Sequence, residues 1–144
     1  MITEDQVTLV QTSFEHVAPI AEEAGLMFYG RLFELAPHAR ALFGDDIGPQ
    51  ARRTMGAIAT AVAGLDDIAR LTPFLMRLGA RHAGYGVQPE HFDLAGAALL
   101  WTLGRGLGER FTTEVHDAWA AAYGLLADAM LAGMAQATQA VVAA

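Results

Sequence analysis

"RLGARHAGYG", residues 77–86, decides how this chain is read, because His82 stands where a helix points at its core. Counting back along a helix, Leu78 is four residues earlier and Leu75 seven, so the three side chains share one face. A histidine on an apolar stripe needs a partner, since a buried polar ring without one costs free energy. The spacing leaves three kinds of partner open: another side chain, a backbone carbonyl or a metal.

The stretch lies within a chain whose apolar residues keep the helical period almost throughout, with no alternating strand. Thr3 with Gln6 opens a first helix as a capping box. Pro19 starts a second, and Pro37 ends it and opens the short turn PHARALF, finishing at Phe43. Gln50 to Val62 form the next helix, stopped by Gly64. A short piece is expected from Asp66, and Thr72-Pro73 is read as the cap and first residue of the helix that carries His82. Pro89 opens a long helix whose Gly96, Gly104 and Gly106 suggest close helix contact. Thr113 is read as the cap of the last helix. The expectation is an all-α fold of seven to eight helices in one domain, residues 1–144.

Composition narrows the partners. Hydrophobic residues make up 53% of the 144 and charged residues 17%, a globular composition. Nine basic residues stand against sixteen acidic ones, so no basic field is available for nucleic acid. There is no cysteine, which removes disulfides, thiolate nucleophiles and cysteine-held metal centres. The polar start MITEDQV is no signal peptide, and no apolar run reaches the roughly 18 residues of a bilayer span. A cytoplasmic protein without membrane or nucleic-acid partners is expected.

Five histidines are present. His16, His38, His91 and His116 fall beside caps, turns or charges and read as solvated. The carboxylate pairs Asp45-Asp46 and Asp66-Asp67 sit at loop or helix-start positions, where capping accounts for them. No HExxH, GxSxG, P-loop or GxGxxG pattern occurs. The histidines lack the i, i+4 partners of a helical zinc site. A haem asks less: one proximal histidine and an apolar slot with one or two polar groups opposite. Tyr29, inside the second helix, and Gln50 with Thr54 one turn later are candidates for that opposite face.

The order FYGRLFELAPHARALF, then Gln50, then LGARHAGYGVQPEHF, then DAWAAAYGLLADAM resembles a globin, in particular the bacterial single-domain globins and the globin domain of flavohaemoglobins. The likeness runs from about Val7 to Met130. It implies the globin fold, helices packed at steep angles around a pocket for haem b. On this resemblance His82 is the proximal iron ligand, Phe43 packs flat on the haem, and Tyr29 and Gln50 are the distal pair with Thr54 one turn on. Trp119 and Tyr123 match a packing segment of the last helix.

The resemblance further implies dioxygen as a ligand, held by hydrogen bonds from Tyr29 and Gln50, with nitric oxide and carbon monoxide as the other gases of the site. It implies conversion of nitric oxide to nitrate with re-reduction by a separate reductase. In flavohaemoglobins a tyrosine and a glutamate hydrogen-bond around the proximal histidine. Here Phe92 stands in place of that tyrosine, and Met134 and Gln136 occupy the region of the glutamate. A backbone carbonyl, that of Leu78, is the expected partner of the His82 ring, and peroxidase-like chemistry is disfavoured. The alternative reading is a haem-based ligand sensor or signalling partner. A helical bundle without a cofactor predicts a colourless protein.

Overall fold

The computed structural model describes residues 2–143, and every regular element among them is helical. Six α-helices follow in order: α1 Glu4–Val17, α2 Ala21–Leu35, α3 Gly48–Ala63, α4 Ile68–Gly84, α5 Glu90–Leu107 and α6 Thr113–Ala143. Tight 3-10 turns at Ala18–Ile20, Pro37–Leu42 and Gly108–Arg110 join three of the pairs. Six is fewer than the seven to eight expected from the sequence.

The proline and capping signals explain most boundaries. Thr3 and Gln6 close a reciprocal capping box, Thr3 Oγ1 accepting from the Gln6 amide at 3.1 Å and Gln6 Oε1 from the Thr3 amide at 3.0 Å. Two boundaries differ from expectation. The piece from Asp66 and the helix expected at Thr72 are one helix, α4. Asp67 caps it by accepting from the Arg70 amide at 3.3 Å, and the Thr72 hydroxyl donates back to the Ile68 carbonyl at 2.7 Å. Pro73 therefore lies inside α4 rather than at its start. Thr112, not Thr113, caps α6, its hydroxyl oxygen accepting from the Val115 amide at 3.2 Å.

The largest core gathers Val10, Phe14, Leu99, Leu103 and Trp119 from α1, α5 and α6. Trp119 is fully enclosed, and its indole N–H is satisfied by donation to Ser13 Oγ at 2.8 Å. Elsewhere glycines set the helix spacing. The α4 and α6 backbones touch reciprocally: a Cβ at Gly79 would strike the Met130 carbonyl, and one at Gly133 would strike the Met76 carbonyl. Gly96 of α5 lies under the Tyr123 ring, where a Cβ would come within 2.7 Å of Cε2, so the close contact expected at Gly96 is present.

Between Thr113 and Gln139, α6 is long and apolar enough to cross a membrane by length and composition, with mean hydropathy 1.3. Glu114, Asp117 and Asp128 interrupt this stretch, so it contains no unbroken apolar run of the length sought in the sequence. Its Val115, Trp119, Ala122, Ala127 and Met134 are buried against the rest of the fold.

Candidate functional site

Helices α2 and α3 bring Tyr29, Gln50 and Thr54 into one hydrogen-bonded group. Tyr29 is buried in the second half of α2, and its hydroxyl lies 2.6 Å from Thr54 Oγ1. Gln50, in the first turn of α3, donates from Nε2 to the Tyr29 hydroxyl at 3.1 Å and to Thr54 Oγ1 at 3.3 Å. The helical step of four residues stacks Gln50 over Thr54, as the sequence predicts. Helix α3 can approach α2 here because Gly25 lies against the Ala51 backbone.

Arg53 is the member of this group that the sequence reading missed. Its guanidinium donates to Gln50 Oε1 at 2.9 Å, and this fixes the amide with its nitrogen toward Tyr29 and Thr54. An exposed arginine reads as a solvated charge; the i, i+3 spacing from Gln50 was the available signal. Phe43, the residue after the Pro37–Leu42 turn, sets its ring edge-on to Tyr29, centroids 5.3 Å apart, and against Phe33 at 5.5 Å.

His82 lies in the last turn of α4, half-buried rather than within the core. Its Nδ1 is 2.7 Å from the Leu78 carbonyl oxygen. A carbonyl only accepts, so Nδ1 carries the proton and the Nε2 lone pair is left for another partner. The ring stands 6.2 Å from Phe92 and 5.9 Å from Tyr85. Phe92 and Met134 are buried together behind it, and neither offers a carboxylate or hydroxyl. That donor chemistry, a neutral imidazole with Nε2 free, fits a haem iron.

The remaining histidines are at or near the surface, but two of them are paired. His38 Nε2 and His91 Nε2 are 3.0 Å apart, and His91 Nδ1 accepts from the Gln88 amide at 3.0 Å. The paired carboxylates cap: Asp46 accepts from the Gly48 amide at 3.0 Å, as Asp67 does from Arg70. No group of three or more metal-ligating side chains forms among the described residues.

Tyr123 donates to the Phe92 carbonyl at 2.5 Å. Burial, with the Asp93 carboxylate adding to it, pushes its phenol well above the ordinary tyrosine range. The unfolded chain therefore loses this proton near pH 10, where the folded chain still holds it. The stability contributed is complete below about pH 10 and is lost as pH rises beyond it. Thermal unfolding followed from pH 8 to 11 should show the melting temperature falling more steeply in the wild type than in Tyr123→Phe.

The globin family profile matches residues 26–130, which run from α2 to the middle of α6 and include all five candidate residues. The chain belongs to the globin family. It is 33% identical to a flavohaemoprotein of Rhodopirellula baltica over 131 residues, covering 89% of this chain but 32% of that one. It thus spans about a third of the flavohaemoprotein length. It is 32% identical to the neuroglobin of Danio rerio, over 94% of both chains. Among solved structures it resembles an engineered carbene transferase built on a candidate nitric oxide dioxygenase from Rhodothermus marinus, with a TM-score of 0.88, 26% identity and full coverage of both chains. The fold is therefore the globin fold expected from the sequence.

Proposed function

We propose that this globin binds haem b through His82 and takes dioxygen on the opposite face, where Tyr29 and Gln50 donate to the ligand. The observation that carries the reading is the His82 ring itself, whose Nδ1 proton is committed to the Leu78 carbonyl so that Nε2 is free to hold iron. Phe43 packs on the ring of the cofactor, and Thr54 lines the ligand side. Haem, when bound, supplies a ferrous iron at which nitric oxide, dioxygen and one electron combine to give nitrate.

The chain's own contribution is electrostatic. The Tyr29 hydroxyl, on a buried ring packed against Phe43, and the part-buried Gln50 amide beside it are donors screened from bulk water, where they act more strongly than in it. They favour a ligand that carries partial negative charge. Arg53 keeps the Gln50 amide in the donating orientation. The electron comes from a flavin-containing reductase outside these 144 residues, consistent with the flavohaemoprotein relatives, which are about three times longer. Nitric oxide and carbon monoxide enter at the same place as dioxygen. The globin family and the excess of acidic over basic residues are in keeping with a cytoplasmic setting.

An absorption spectrum tests this directly. The purified protein should take up haem stoichiometrically, show a strong Soret band, and shift it with carbon monoxide after dithionite reduction. His82→Ala should lose or displace that band. Spectra unchanged by His82→Ala, or a protein that retains no haem, would remove the proposal.

A further inference from the structure

The distal group holds more hydrogens than it can use internally. Gln50 Nε2 brings two, the Tyr29 hydroxyl one and the Thr54 hydroxyl one. Gln50 Nε2 lies 3.1 and 3.3 Å from two hydroxyl oxygens that are themselves 2.6 Å apart, too close together for the diverging amide hydrogens to serve one each, so one amide hydrogen is shared between them and the other is left for a ligand. The 2.6 Å contact between the hydroxyls uses one more, because only one of them can donate along that line. One hydroxyl hydrogen is left over, and which one it is depends on the direction of the Tyr29–Thr54 bond.

A phenol is a stronger acid than an aliphatic alcohol, so it is the better donor and the alcohol the better acceptor. Thr54 Oγ1 has two lone pairs, one for Gln50 and one for Tyr29. The favoured order therefore runs from Tyr29 to Thr54. In that order the Tyr29 proton is turned along α3 and away from a ligand. To donate to a ligand, Tyr29 must give up this bond or reverse it.

We propose that Thr54 is a competing acceptor, a positioning residue that acts through Tyr29 and weakens its grip on the iron ligand. Valine has the shape of threonine without the oxygen. With valine at 54, Tyr29 has no partner for its proton except the ligand, and a buried donor without a partner favours the state that satisfies it. Thr54 thus sets how slowly dioxygen leaves. This rests on the haem reading above.

The test compares wild type, Thr54→Val and Thr54→Ser as haem-loaded proteins, with Tyr29→Phe/Thr54→Val as the double variant. Thr54→Val should slow dioxygen dissociation roughly fivefold, the scale of one net hydrogen bond. It should also lower the C–O stretching frequency of the ferrous carbon monoxide adduct, because a proton now faces the ligand oxygen. Thr54→Ser restores the hydroxyl and should stay near wild type in both measurements. In the double variant the frequency shift should disappear. An unchanged frequency and rate in Thr54→Val would overturn the proposal, and so would faster release, which would make Thr54 itself the donor. If the wild type gives no carbon monoxide band at all, the haem reading fails instead.

Discussion

Replacing Gly79 with alanine is expected to destabilise the fold by about 3 kcal/mol, the upper end of the usual overpacking range. At an exposed helical site the same change would help, since alanine exceeds glycine in helix propensity by up to about 1 kcal/mol. The sign reverses here because the added methyl would strike the Met130 carbonyl of α6, and peptide backbone cannot step aside as a side chain can. Helices α4 and α6 would have to separate, and Gly133 against Met76 would open with them. Gly56 is the control. A Cβ there meets nothing within 4 Å, so Gly56→Ala should hold or raise stability. Denaturant unfolding of the two variants checks both signs. If Gly79→Ala proves as stable as the wild type, the two backbones are not in contact. The peptide whose carbonyl accepts from His82 Nδ1 is the one between Leu78 and Gly79. Loss of this crossing therefore also disturbs the seat of the imidazole, and haem retention should fall alongside stability.

The second large effect is expected at Tyr29. Tyr29→Phe removes one hydroxyl and leaves the ring packed against Phe28, Phe33 and Phe43. Fold stability should change little beyond the loss of the Thr54 and Gln50 bonds. Dioxygen dissociation should speed up at least about tenfold, equivalent to about 1.4 kcal/mol, the size of one net hydrogen bond. Carbon monoxide dissociation should change far less, because that ligand carries little negative charge. Stopped-flow replacement kinetics measures both rates. Equal acceleration for the two gases would mean that Tyr29 acts by bulk, and no acceleration would mean that its hydroxyl does not reach the ligand. In a Thr54→Val background the Tyr29→Phe effect should be larger, since Tyr29 then has no other acceptor.

Much of this was legible in the residues because the signals are local. Thr3 with Gln6, Pro19, Pro37 and Pro89 mark helix ends through contacts spanning only a few positions. The four-residue step placed Gln50 over Thr54, and the same step pointed His82 Nδ1 at Leu78. The failures have two physical causes. Thr72-Pro73 has the look of a helix start, but the Asp67 carboxylate offers a cap one turn earlier, and α4 absorbs the proline. The remaining gaps involve pairs far apart in the chain. Gly79 finds Met130, Gly133 finds Met76 and His38 finds His91 only after the helices have packed. The glycines of α5 drew attention as contact points, yet the tightest approach lies between α4 and α6. A single glycine in a helix does not announce which neighbour it admits.

The partner of His82 has a consequence for acidity. A carboxylate in that position would take up a proton as the solution became acidic and would release the ring. The Leu78 oxygen belongs to a peptide bond and gains no proton under any condition the fold survives. The acceptor that orients the imidazole through Nδ1 is therefore one whose own protonation never changes. The partner thus adds no titrating group of its own to the proximal side, where a carboxylate would have added one.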